Sequence, residues 1–204
     1  MQTPSGSIQS TRSGYCRRTT APPRIDRMKR LFLVCLVALT VSAAEQPRDG
    51  QHDFDFEIGT WKTHVSRLEK PLSGSQKWLD LDGTSVVRKV MDGRANLVEL
   101  DVTGSSGTIA GVSLRLYNPD TRQWSLNYAS LRSGTLTAPV VGGFKDGRGE
   151  FFGLDTVDGK PVFVRFVIAC ATSDTCRFEQ AFSDDGGKSW EVNWIATDTR
   201  VKGS

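Results

Sequence analysis

Hydrophobic positions in this chain recur at every second residue, in short runs separated by turn-forming pairs. In HDFDFEIGTW, residues 52–61, Phe54, Phe56 and Ile58 alternate with Asp53, Asp55 and Glu57 before a Gly-x-Trp step. A period of two marks a half-buried strand, because successive side chains point to opposite faces. The alternation continues downstream and predicts strands at 59–68, 76–82, 84–91, 95–102, 109–117, 122–130, 139–145, 148–156, 161–169, 175–183 and 188–197. Beyond the short opening segment no stretch carries a helical period.

Asp-Gly pairs punctuate these runs at 82/83, 92/93, 146/147, 158/159 and 185/186. Both residues tolerate the positive φ that tight hairpin turns require. Sequential strands without crossover helices predict an all-β fold: an up-and-down antiparallel barrel of about eight to ten strands, since closure removes exposed edges. A two-layer sandwich is the alternative. The segment before the first strand is expected to plug one end, phenylalanines inward and carboxylates in solvent.

The turns also predict register. With NPDT as a turn, Leu116 faces Trp124, Leu114 faces Leu126 and Val112 faces Tyr128. With Cys170 paired to Cys176, Phe166 faces Gln180 and Val164 faces Phe182; the next turn then sets Phe182 against Trp190, Gln180 against Val192 and Phe178 against Trp194. Three neighbouring strands thereby share an aromatic face. The other face carries Arg165, Glu179, Glu191 and Asn193.

Residues 28–44, MKRLFLVCLVALTVSAA, read as a secretory signal peptide: basic residues, an apolar run too short to span a membrane, then small residues suited to cleavage after Ala43 or Ala44. Residues 1–27, rich in Ser, Thr, Pro and Arg, read as a disordered leader or a mis-assigned start, 45–51 as a linker, and 52–202 as the single domain. Trimming changes the charge picture. The whole chain has 26 basic and 23 acidic side chains, but residues 1–43 hold seven of the basic ones and only Asp26 of the acidic, so the remainder is acidic by three. The hint of a nucleic-acid partner disappears with the leader, and no membrane span is expected after cleavage. Cys16 and Cys35 leave as well; Cys170 and Cys176, spaced across CATSDTC, are predicted to form a disulfide in an oxidising compartment.

By this register Arg165 and Glu191 flank Ala181, while Glu179 lies beside Asn193. They form either a polar mouth for a carboxylate or amide, or a solvated ion ladder. Gln180 falls within the aromatic face, where a buried amide must find partners: a ligand's polar group, Tyr128 or a buried water. His52 precedes the first strand, and His64 has the opposite parity to Trp61 and points outward. Neither has a second ligand at metal or haem spacing, so no metal and no cofactor are expected. There is no Gly-x-Ser-x-Gly elbow and no calcium loop around Asp53, Asp55 and Glu57.

SDDGGKSW, residues 183–190, is similar to the Asp-box turns of sialidase propellers, which in that family are structural; a single copy here implies a stabilised turn around Asp185 with Trp190 beneath. Gly59-x-Trp61 resembles the first-strand signature of lipocalins and other calycins, which implies that Trp61 packs at the closed end against a basic residue near the last strand, here Arg200. FDFEIGTW, SLRLYNPDTRQWSLNYAS, PVVGGFKDGRGEF, PVFVRFV and RFEQAFSDDGGKSWEVNW together resemble a calycin-like family of secreted bacterial proteins catalogued as a domain of unknown function. Its shared positions fall on Gly59, Trp61, Arg115, Tyr117, Trp124, Arg165, Glu179, Gln180, Trp190, Glu191, Asn193 and Trp194, which adds Arg115 to the polar patch.

The resulting expectation is an exported, periplasmic or secreted lipocalin-like barrel that binds a small, mostly apolar ligand among Trp124, Tyr128, Phe166, Phe178, Gln180 and Trp194, with the loop 131–138, Gly134 at its tip, as a lid over the open end. The alternatives are an isomerase or hydrolase using Glu179 or Glu191 with Arg165, and a solidly packed barrel serving as an interaction module.

Overall fold

The computed structural model describes residues 48–203; the leader and signal segments lie outside the described residues. Ten strands follow one another: β1 (Gly59–Leu68), β2 (Trp78–Val90), β3 (Ala95–Gly104), β4 (Gly107–Asn118), β5 (Gln123–Ser130), β6 (Val140–Lys145), β7 (Arg148–Val157), β8 (Lys160–Thr172), β9 (Thr175–Ser183) and β10 (Glu191–Arg200). Each pairs antiparallel with the next, and β1 pairs with β10 to close the barrel, Trp61 opposite Arg200. The meander predicted from alternation and turns is the observed fold, closed rather than layered.

Four of the five Asp-Gly pairs sit at turns. Asp146 and Gly147 (φ 52° and 77°) and Asp158 and Gly159 (φ 49° and 78°) form two-residue turns between the paired residues Lys145–Arg148 and Val157–Lys160. The pair at 82/83 does not turn: the runs 76–82 and 84–91 are one strand, β2. A Cβ on Gly83 would lie 1.9 Å from the Asp101 carbonyl oxygen, so this glycine serves close approach to β3.

Register divides the same way. The Cys170–Cys176 disulfide forms, and Phe166 faces Gln180 with Val164 opposite Phe182, as predicted. The β4–β5 hairpin is displaced by one residue: Trp124 faces Tyr117, Leu126 faces Arg115 and Tyr128 faces Ser113. Residues 119–122 make a four-residue loop held by Asn118 Oδ1, which accepts from the Asp120 and Thr121 amides at 2.9 and 3.2 Å, with Arg122 at φ 56°. A slip of one inverts every side chain, so Leu116 points out, 44% exposed, and Arg115 points in, 8% exposed. In β10 a bulge between Val192 and Trp194 sets Trp194 against Gln180 and Ala196 against Phe178, replacing all three predicted pairs.

The plug forms, but not as a strand. Asp55–Glu57 is a turn of 3-10 helix, which breaks the period of two, and the carboxylates separate accordingly. Asp55 remains exposed on Lys89 and His52, whereas Asp53 is buried against Arg48 and Glu57 turns inward to Arg115. Phe54, fully buried, meets Trp124, Phe144 and Phe151 with ring centres 5.0, 4.9 and 5.8 Å away. Gly50 fastens the segment: its carbonyl accepts from Trp124 Nε1 and its amide donates to Tyr117 Oη, both at 2.9 Å. This aromatic cluster fills one end of the barrel and leaves the rest open for a cavity.

Candidate functional site

Above the plug the barrel encloses a cavity of about 490 Å³, within the range of small-molecule sites. Its wall is largely apolar: Trp61 and Val65 from β1, Val98 and Leu100 from β3, Tyr128 from β5, Phe166 from β8, Phe178 from β9 and Trp194 from β10. Phe166 and Phe178 meet edge to face at 5.0 Å. Tyr128 lies across β4 because Gly111 has no side chain; a Cβ there would sit 2.4 Å from the Tyr128 hydroxyl. Desolvation raises the Tyr128 phenol above its ordinary pKa.

Five of the six predicted lining residues, Tyr128, Phe166, Phe178, Gln180 and Trp194, border this cavity, and Trp124 does not. Strand parity places Trp124 inside, but its height places it in the plug cluster. Gln180 is half-buried, and its Nε2 donates to Asn193 Oδ1 at 2.8 Å, so the amide's partner is the bulged asparagine rather than Tyr128.

The polar patch comes apart. Glu179 pairs with Arg177 at 2.6 Å, Glu191 accepts the Leu72 amide at 2.6 Å, and Arg165 stacks on Trp190 at 4.8 Å; none of the three borders the cavity. Only Arg115 does, carried there by the shifted register. His64 is half exposed on Asp82 and His52 exposed on Asp55. Among the described residues no group of three or more His, Cys, Asp and Glu side chains is arranged to hold a metal, and no helix is long and apolar enough to cross a membrane.

The closed end carries a polar floor that the sequence reading did not single out. Thr63 Oγ1 donates to Asp198 Oδ1 at 2.5 Å and lies 2.8 Å from Ser85 Oγ. With the threonine proton committed to the carboxylate, Ser85 must donate to Thr63, so two buried hydroxyls end in one acid. Beside them Arg115 pairs with Glu57 and stacks over Phe54 at 4.3 Å. Burial pushes the Asp198 carboxyl up to about 6 and Glu57 adds to the rise, opposed by the Thr63 hydrogen bond and by Arg115. A signal for this floor was present, since Asp198 shares parity with Trp194 and Arg200, and Thr63 with Trp61.

Beneath the floor Arg200 stacks on Trp61 and donates to the carbonyls of Ile58 at 2.8 Å and Phe56 at 2.6 Å. Gly59, at φ 134°, leaves room for this clip: a Cβ there would fall 2.8 Å from Arg200 Nη1. At the other end Thr137 and Ala138 of the 131–138 loop join the cavity wall, while Leu131 and Leu136 are 70% and 61% exposed.

No family model and no curated protein matches this chain. Among solved structures it is similar to an S-type phycobiliprotein lyase from Guillardia theta, with a TM-score of 0.54 and 14% identity over 78% of this chain and 96% of that one. At that identity the likeness is one of fold: the lyase is a barrel of the same lipocalin-like kind.

Proposed function

We propose that this protein is a carrier or receptor for a small, mostly apolar molecule held inside the barrel. One observation carries the reading: a cavity of about 490 Å³ persists between the plug and the far rim, lined by rings and branched aliphatics. A barrel built only for stability would fill such a space with side chains, because voids cost packing energy. The void therefore also counts against a solidly packed interaction module. The enzyme alternative loses its basis, since Glu179, Glu191 and Arg165 share no enclosed site. Membership of the calycin-like secreted family belongs to this proposal, and so does export to the periplasm or medium. The Cys170–Cys176 disulfide supports export, because such bonds persist in oxidising compartments.

The test is a fluorescence titration with the neutral apolar probe N-phenyl-1-naphthylamine, alongside native mass spectrometry of protein isolated from its own source. Saturable one-to-one enhancement, weakened by filling the cavity with Ala196→Phe, is expected. Absence of saturable binding would withdraw the carrier reading. Export is checked separately, by whether the mature N-terminus is Ala44 or Glu45 after passage through a secretory pathway.

A further inference from the structure

Charge is distributed unevenly around this cavity. Four ionisable side chains with formal charge border it: Glu57, Arg115, Asp155 and Asp198. Three are carboxylic acids and one is a cation, and the bordering residues include no lysine and no histidine. Arg115 is already committed to Glu57 and to the face of Phe54, so its charge is locally cancelled. Asp198 has no cationic partner within salt-bridge distance; Thr63 is its hydrogen-bond donor.

We propose that the ligand is an amphipathic cation, an apolar body ending in a protonated amine or similar group, whose head seats on the Asp198–Thr63–Ser85 floor beneath the aromatic wall. This deepens the carrier reading and rests on it. An ammonium donates up to three hydrogen bonds, and the floor presents the Asp198 carboxylate with two hydroxyl oxygens beside it. In an apolar surround such a charge-assisted contact is strong, whereas a carboxylate ligand would face like charge and leave its oxygens without a free cation. Arg115 Nε, buried and without a partner, offers one further donor and leaves the sign of the site unchanged. The same argument excludes a fatty-acid carrier, for which the floor would need an uncommitted Arg or Lys.

The groups facing Asp198 settle what pH should do. Thr63 projects from β1, Ser85 from β2, Arg115 from β4 and Glu57 from the plug; Cys176 on β9 is locked in its disulfide, and Arg200, on β10 with Asp198, is turned to Trp61. Asp198 is the acid among them without a basic partner, so acidification removes the unpaired negative charge.

The experiment displaces N-phenyl-1-naphthylamine with decylamine, decanol and decanoate at about pH 7.5, where the three heads are positive, neutral and negative. Decylamine is expected to compete roughly 10- to 100-fold better than decanol, with decanoate the weakest. The amine-to-alcohol ratio should collapse toward one in Asp198→Asn, and fall about tenfold in the unaltered protein at about pH 5, one unit below the folded Asp198 value of about 6. The second arm decides the matter if the variant does not fold. Equal competition by decanol or decanoate, or a ratio that survives both treatments, would overturn the cationic assignment while leaving the carrier standing. No probe binding at all would remove both.

Discussion

The guanidinium of Arg200 lies 4.0 Å from the ring centre of Trp61, the first aromatic of the first strand stacked against the last residue of the last. The same side chain ties the carbonyls of Phe56 and Ile58, so one residue closes the barrel and anchors the plug. Arg200→Ala should lower unfolding stability by roughly 2–4 kcal/mol from the lost stack and three charge-assisted hydrogen bonds, the third from Nε to the exposed Ser173 carbonyl at 3.0 Å. Arg200→Lys should recover only part, because an ammonium lacks the planar fork. Urea denaturation of the three proteins measures this.

Trp124 separates plug from cavity. Trp124→Phe keeps most of the ring contacts with Phe54 and Tyr117 but removes the indole donor to Gly50, whose carbonyl then keeps only the Asp53 amide at 3.1 Å. A loss of about 0.5–1.5 kcal/mol is expected, the net worth of one hydrogen bond. Probe affinity should stay within about twofold, since the substitution lies away from the cavity wall. Phe178→Ala, by contrast, should change both stability and affinity.

Asp198 predicts a slope of stability with pH. Its folded value, about 6, lies above the ordinary 3.8, so the folded state holds the proton more tightly. Below about pH 4 both states are protonated and the residue costs nothing; between about 4 and 6 the empty barrel loses stability as pH rises, and the loss then levels off. The full span is about 3 kcal/mol for such a difference in pKa, to order of magnitude. Asp198→Asn should flatten that part of the profile and make the empty protein more stable near neutrality. Thermal unfolding across pH gives the comparison.

Asp185 should behave in the opposite sense. Its carboxylate accepts the Lys188 and Ser189 amides at 2.9 and 3.0 Å and the Ser183 and Ser189 hydroxyls at 2.8 and 2.7 Å, which holds its pKa well below the usual range. The stabilisation is present above the ordinary carboxylate value and is lost as pH falls below it. Asp185→Ala should lower the melting temperature at pH 7 and narrow the difference from the parent protein in acid. Equal differences at both pH values would contradict this.

Most of the architecture was legible because alternation and Asp-Gly turns are local signals. Where they misled, the cause was tertiary. Gly83 looks like a turn residue and is a point of close strand contact. Arg115 was assigned to the polar patch but lines the cavity, because a four-residue loop at 119–122 shifts the register by one. Parity correctly sent Trp124 inward yet carried no information about height along the barrel axis. Parity also joined Asp198 to Trp194 and Arg200, but Glu179 and Glu191 stand nearer the aromatic run in sequence, while of these three acids only Asp198 borders the cavity.

Nine of the ten seams around the wall pair at five or more positions, but β5 and β6 meet at only three, Trp124–Gly142, Ser125–Val141 and Leu126–Val140. Beyond them β5 is tied to the 131–138 loop by the Ala129–Leu136 bridge and the Thr137 amide on the Tyr128 carbonyl, at 2.7 Å. Peeling that strap away breaks few backbone bonds and exposes the Tyr128 side of the interior. Cargo exchange through this slit would then be governed by a local opening, much faster than global unfolding, and the residence time of a guest could be tuned at Leu136 and Thr137 without touching the floor that grips it.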